Sequence, residues 1–124
     1  MKIKKVIIER FGYDKVNFNN PLPVNWNHNC EPDKIFGQIS IEEDKDNKCY
    51  VGELEFIKNK YTENQIESIR KLILNKFKVY PSIGGRVIKR DGDIITEIEI
   101  DYVSLGTSNV DSTIPPLELE EDEK

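Results

Sequence analysis

The sequence predicts an α+β fold, in which a small, mainly antiparallel β-sheet or barrel of about five strands carries one main helix. Residues 94–102 alternate strictly between apolar and polar side chains, and residues 49–57 alternate too, which is typical of half-buried strands. Residues 63–78 instead repeat their apolar side chains at helical spacing. Strands of this kind and a single amphipathic helix together indicate the α+β class.

The first half of the chain predicts three strands and a long loop. Residues 2–9 are rich in Ile and Val, as strands are. Residues 11–33 hold six asparagines, three prolines and the only Trp and His, so we expect an irregular loop there. Long loops inside compact domains often carry function. Residues 35–41 and 49–57 flank a polar turn and predict an antiparallel hairpin.

The helix prediction includes both of its ends. Thr62 and Gln65 have the spacing of a capping box at the start. Pro81 bars the residue before it from the helical region, so the helix must end earlier. We expect the helix to bury one apolar stripe against the sheet. This stripe comprises Ile66, Ile69, Leu72, Ile73 and Phe77.

A second hairpin and an acidic tail complete the expected organisation. Residues 82–89 and 94–102 lie on either side of an Asp-Gly turn and predict two antiparallel strands. After these strands the chain becomes polar, and a pair of prolines precedes a run of acids. We therefore assign residues 1–112 to one domain and residues 113–124 to a flexible acidic C-terminal tail.

The composition disfavours several classes of protein. The chain has 124 residues, the size of one domain, and 33% of them are charged. No apolar run approaches the roughly 18 residues of a membrane span, and we expect no signal peptide and no membrane partner. The net charge is −5, of which residues 117–124 carry −4 and the other 116 residues −1. Because no basic stripe is present, nucleic acid is not an expected direct partner.

The two cysteines do not indicate a disulfide scaffold or a metal site. We expect both Cys30 and Cys49 to be reduced. Together with His28 they lack a fourth zinc ligand at short spacing, so we predict no metal and no cofactor. A Cys30–His28 catalytic pair is disfavoured, because neighbours in a loop rarely present a nucleophile and a base to each other.

Two residues are candidates for chemistry. His28 is the only histidine, so acid–base catalysis near neutral pH falls on it or on a perturbed carboxylate. Ser82 precedes Gly84 and Gly85, which allow the close backbone approach of an oxyanion-stabilising turn. Ser82 would need His28 as its base. The residues alone leave open that Ser82 and the glycines only form a turn and that His28 is a surface residue.

Three segments resemble one family in content, order and spacing. They are PVNWNHNCEPDKIFGQI, YPSIGGRVI and ITEIEIDYVSL, within residues 22–111. The first is similar to the histidine segment of the bacteriophage prohead maturation proteases, the second to their Ser-Ile-Gly segment and the third to their closing strand. These proteases share a fold with the herpesvirus assemblins, so the resemblance implies an assemblin-like fold.

The resemblance also implies an activity and a setting. His28 would be the general base and Ser82 the nucleophile of a serine endopeptidase. Its substrates would be segments of viral scaffold and major capsid protein, cut inside the assembling prohead in the host bacterial cytoplasm. The resemblance also allows a homo-oligomer.

The third catalytic group departs from the family pattern. Tyr102 stands where the family usually has a glutamate, and the chain has no second histidine. The third group is therefore either a carboxylate or absent. If it is a carboxylate, we expect it to come from the strand of residues 94–102. Asp101, brought round by a bulge in the strand, is the first choice and Glu99 the second.

Two other interpretations remain open. Tyr102 and the short chain favour a protease-like domain without activity that serves as a structural or binding component of a phage-like particle. The retained His28 and Ser82 favour the enzyme. A binding module unrelated to this family is the third interpretation. The separation of His28 and Ser82 in the fold discriminates among them.

Overall fold

A computed structural model describes residues 3–109 and 111–120, and in these ranges one mostly antiparallel, open sheet of seven strands carries a single α-helix. The elements are β1 (Val6–Arg10), β2 (Lys15–Phe18), β3 (Leu22–Trp26), a short 3-10 helix (Pro32–Lys34), β4 (Gly37–Asp44), β5 (Cys49–Phe56), α1 (Glu63–Leu74), β6 (Tyr80–Asp91) and β7 (Ile94–Gly106). The predicted α+β class is confirmed, but the expected count of about five strands is too low.

The long strand β7 organises the sheet. Along one edge it pairs antiparallel with β6. Along the other it pairs in parallel with β2 through residues 97–100 and with β3 through residues 103–105. The sheet continues from β3 through β4 and β5 to β1 in antiparallel steps. The core lies between this curved sheet and α1 and includes Phe36, Ile39, Ile69 and Ile100.

The two additional strands lie inside the segment that we expected to be a loop. Asparagines are depleted in strands, which is why the pattern of residues 11–33 does not predict β2 and β3. In the fold their side chains satisfy neighbouring groups. The Asn17 amide donates to Glu97 and to the Ile98 carbonyl. The Asn20 side chain bonds both the N–H and the carbonyl of Ile41. Tertiary pairing with β7 and β4 therefore overrides local propensity.

The helix begins where predicted and ends four residues early. Ile66 and Ile69 are buried, and Leu72 packs half-buried against the core. Lys76, with φ 67°, turns the chain out of the helix. Phe77 is 63% exposed, so the expectation that it is buried is wrong. The apolar side chains keep their helical spacing as far as Phe77, so the sequence predicts a helix that continues beyond the point where the backbone turns.

The predicted capping box does not form. Thr62 is buried, and its hydroxyl donates to the Ile57 carbonyl and accepts from the Asn59 N–H. These bonds close the turn before α1. The Thr62 side chain makes no capping hydrogen bond at the helix N-terminus.

The predicted tail is partly integrated into the fold. Ile114 and Leu117 are buried, and the Leu117 N–H donates to the Val79 carbonyl over 2.7 Å. Leu119 forms a β-bridge with Ile3. Residues 113–120 thus pack on the domain, and the rest of the predicted tail, 121–124, lies outside the described residues. Within the described ranges, no helix is both long and apolar enough to span a lipid bilayer.

Candidate active site

The start of β6 and the end of β7 place three candidate side chains on one face. Ser82 pairs directly with Ser104, and Gly84 pairs with Tyr102. Directly paired residues of antiparallel strands project to the same side of the sheet, about 5 Å apart at Cβ. Ser82, Ser104 and the Tyr102 ring therefore share a face, whereas Val103 between them is buried on the other side.

His28 reaches this face through the turn that ends β3. The Asn27 N–H continues the parallel ladder by donating to the Leu105 carbonyl over 2.9 Å. Asn27 and His28 then adopt left-handed φ values of 50° and 61°, which asparagine and histidine tolerate better than most residues. The His28 N–H donates to Ser104 Oγ over 2.7 Å. This bond holds the His28 backbone next to Ser104, which pairs directly with Ser82.

The His28 ring is held from one side by a tyrosine. Its Nδ1 lies 3.0 Å from the Tyr102 hydroxyl oxygen. The two rings meet edge to face, with centroids 5.6 Å apart. Gly84 makes this possible, because a Cβ at that position would lie 2.0 Å from Tyr102 Cζ. In the fold, Gly84, which we expected in an oxyanion-stabilising turn, makes room for the Tyr102 ring.

His28 and Ser82 line the same groove, which has a volume of about 470 Å³. Glu9 on β1 and Asp111 line the same groove. Burial raises the pKa of the Glu9 carboxyl, and the Asp111 charge adds to this, while a hydrogen bond from the Arg10 N–H opposes it. The Ser82 hydroxyl is half-buried and bonds to none of the residues in the described ranges. It is therefore free to meet a ligand.

Neither carboxylate expected at His28 reaches it. The sheet does have a bulge here, because Gly84 pairs with Tyr102 and Gly85 with Ile100, which leaves Asp101 as the additional residue on β7. The bulge brings the Asp101 carboxylate to 3.5 Å from Arg86 Nε. The second choice, Glu99, also pairs with Arg86. Tyr102 occupies the place beside His28 that was predicted for an acid.

Cys30 completes the surroundings of the tyrosine. Its thiol donates to the His28 carbonyl over 3.6 Å and accepts from Asn25 Nδ2 over 3.6 Å. Burial raises the pKa of Tyr102, and the neighbouring Cys30 and the charge of Asp101 add to this. From the sequence, this cysteine was considered as a disulfide partner, a zinc ligand and a nucleophile, and each of these roles was disfavoured.

Comparison of the chain with protein-family models, with curated proteins and with solved structures finds no match. The class of protein must therefore be argued from the groove itself. The groove is lined by Ser82, whose hydroxyl bonds to none of the described residues, and by His28, whose Nδ1 contacts the Tyr102 hydroxyl. No hydrogen bond joins Ser82 to His28 within the described ranges. A hydroxyl and an imidazole that can reach each other are what nucleophilic catalysis by serine requires. Within residues 3–109 and 111–120, no three His, Cys, Asp or Glu side chains converge to hold a metal ion.

Proposed function

We propose that the chain is a serine endopeptidase of viral capsid maturation, with Ser82 as nucleophile and His28 as general base. The observation that carries the proposal is that His28, Ser82 and Ser104, which come from three separate segments, line one groove. Ser82 is paired with Ser104, Ser104 holds the His28 backbone, and Tyr102 holds the His28 ring. The viral substrates rest on the resemblance of the three sequence segments to the prohead proteases.

The proposed reaction is acyl transfer in two steps. His28 Nε2 takes the Ser82 proton as Oγ attacks the scissile carbonyl carbon, and the C–N bond then breaks as the amine leaves with that proton. A water molecule, deprotonated by His28, hydrolyses the acyl ester and restores Ser82. Tyr102 takes the position in which Ser-His-Asp enzymes place a carboxylate. Because a neutral phenol stabilises an imidazolium less than a carboxylate does, we expect slow turnover.

Slow turnover suits the proposed setting. Scaffold and major capsid protein segments enclosed in a prohead, in the host bacterial cytoplasm, are present at high effective concentration and need to be cut only once. In this proposal the polypeptide substrate binds in the groove, which is lined by residues of β1, of the start of β6 and of the end of β7. Nucleic acid and membranes have no role in this proposal.

A reactive-serine assay tests the chemistry directly. A fluorophosphonate reacts preferentially with activated serines, whose Oγ displaces fluoride to form a phosphonate ester, and we expect mass spectrometry to find the adduct on Ser82. Ser82→Ala and His28→Ala should abolish it. Ser108→Ala is the matched control, because Ser108 lines the same groove and forms no hydrogen bond with His28 in the described structure. Labelling at Ser108, or equal labelling of Ser82→Ala, contradicts the assignment.

Co-expression with the capsid and scaffold proteins encoded alongside the chain tests the substrate. We expect cleaved products with the wild type and none with Ser82→Ala, a loss of roughly 10⁴-fold or more. The thermal midpoint of Ser82→Ala should stay within about 2 °C of the wild type, because the hydroxyl makes no bond within the described fold. If the wild type neither cleaves nor reacts with the fluorophosphonate, the protease-like component without activity becomes the better description.

A further inference from the structure

The proposed reaction places negative charge on an oxygen atom of the substrate. When Ser82 Oγ bonds to the scissile carbonyl carbon, one electron pair of the C=O bond moves to the oxygen, and the Ser82 proton goes to His28 Nε2. Such an oxyanion is stabilised by donors about 2.7–3.1 Å away. The described residues that line the groove include no lysine or arginine, and two of them, Glu9 and Asp111, are acids. The oxyanion therefore depends on neutral hydrogen-bond donors.

Two side-chain amides line the groove, and only one of them is already bonded. Asn109 Nδ2 donates to the Ile114 carbonyl over 3.3 Å. The Asn27 side chain is exposed, and its amide forms no hydrogen bond within the described part of the chain. Asn27 directly precedes the proposed base, and its backbone N–H donates to the Leu105 carbonyl of β7 over 2.9 Å. The Asn27 amide is thus available to a ligand and anchored beside His28.

Gly106 positions the Asn27 amide relative to Ser82. A Cβ on Gly106 would lie 2.8 Å from Asn27 Oδ1 and 4.0 Å from Asn27 Cγ, so the amide oxygen is directed at Gly106 and the NH₂ group lies on the other branch. Gly106 is two residues from Ser104 along β7, so this Cβ position is on the face of the sheet that carries Ser82. Diagonal neighbours on one face are roughly 7–8 Å apart. A carbonyl group bound to Ser82 Oγ, together with one hydrogen bond of about 2.9 Å, fits this separation.

We infer that Asn27 is a catalytic residue whose Nδ2 donates a hydrogen bond to the oxyanion formed when Ser82 attacks the substrate. The inference rests on the proposed function, because it concerns the same reaction. It adds a third residue to the reacting groups and gives the turn that ends β3 two tasks. Residue 28 of this turn moves the proton, and residue 27 stabilises the charge that the proton transfer leaves behind.

The left-handed backbone of Asn27 provides a purely structural reason for an asparagine here, and the test must separate the two roles. Its φ is 50°, a value that asparagine tolerates better than most residues. Glycine tolerates positive φ without a steric cost and has no amide, so Asn27→Gly keeps the turn and removes the donor. Asn27→Asp keeps the size of the side chain but presents a carboxylate, which repels an oxyanion.

The rate of Ser82 labelling by a fluorophosphonate tests the inference without a known peptide, because negative charge develops on the phosphonyl oxygen as well. We expect Asn27→Gly to lower this rate, and kcat for the co-expressed substrate, by about 100- to 1,000-fold with KM nearly unchanged. Asn27→Asp should lose at least as much. Asn29→Gly is the matched control, because Asn29 lies in the same loop but does not line the groove, and its rate should be nearly that of the wild type.

The possible outcomes separate this inference from the proposed function. An active wild type with Asn27→Gly at the wild-type rate overturns the inference and leaves the protease intact. Equal losses in Asn27→Gly and Asn29→Gly would show that the loop matters and the amide does not, which also overturns it. If Asn27→Gly does not fold, Asn27→Asp decides, since a wild-type rate in that variant excludes the donor. A wild type that neither cleaves nor labels refutes the proposed function and this inference together.

Discussion

The two halves of the β6–β7 hairpin are continuous in sequence and sheet, yet they differ in burial and in role. In the inner half, residues 80–85 pair with residues 100–106, and Val103, Ser104 and Leu105 are at most 2% exposed. In the outer half, residues 86–91 are all exposed. Two of them form ion pairs with the facing strand, Arg86 with Glu99 and Lys89 with Glu97. The bulge at Gly84 and Gly85 lies at the boundary.

This contrast does not come from the hydrophobicity of the strands. The outer half exposes Val87, Ile88 and Ile94, which are as apolar as anything in the inner half. The inner half is buried because other segments cover it, namely the turn around His28 and the chain near Ile114. Burial of a strand by neighbouring segments therefore determines where a functional site can form on it.

A matched pair of isoleucine substitutions on β7 tests the difference in burial. Ile100 is 2% exposed and Ile94 is 68% exposed. Ile100→Ala should lower the free energy of unfolding by about 2–5 kcal/mol, because it leaves a cavity in the core. Ile94→Ala should cost less than about 1 kcal/mol. Urea denaturation measures both. Equal losses would mean that the outer half is covered in solution, for example by a second copy of the chain.

A substitution at the boundary should affect both the fold and the site. In Gly84→Ala the new Cβ overlaps the Tyr102 ring, so we expect a loss of about 1–3 kcal/mol and displacement of the ring from His28. In a Tyr102→Ala background the same change should cost less than about 1 kcal/mol, since the ring is gone. Gly12→Ala is the control, because no atom lies within 4 Å of its Cβ position. An equal cost in both backgrounds would place the strain elsewhere.

The sequence predicts the hairpin well because alternation is a local signal. Residues 94–102 were expected to be a strand and form most of β7. The parallel partners β2 and β3 could not be predicted in this way, since their pairing with β7 comes from residues about eighty positions away. The helix end was missed for a related reason: the apolar spacing continues to Phe77, although the backbone leaves the helix at Asn75.

The sequence alone identified the two proposed catalytic residues of the candidate site, but not the residues that support them. His28 stood out as the only histidine and Ser82 by its glycines and its family resemblance. Tyr102 was passed over because carboxylates are the usual partners of a catalytic imidazole. Its contact with His28 depends on the open space above Gly84. Such relations arise only once the strands are paired.

The smallest expected effect lies in the ion pairs of the outer half. Arg86 is paired with Glu99 and Asp101, and its side chain is 66% exposed. Exposed pairs contribute about 0.2–1 kcal/mol, so Arg86→Ala should lower the free energy of unfolding by less than about 1 kcal/mol at low salt. At 1 M salt the Debye length falls to about 3 Å, and most of this difference should disappear.

Arg90→Ala, which removes the same charge from a residue with no ion pair in the described structure, should show no such salt dependence. Activity in the fluorophosphonate assay should be unchanged in both variants, because the Asp101 carboxylate released by the first lies apart from the His28–Tyr102 contact. A loss of activity specific to Arg86→Ala would show instead that the acids paired with Arg86 do act on the imidazole, and the two halves of the hairpin would then have to be treated as one site.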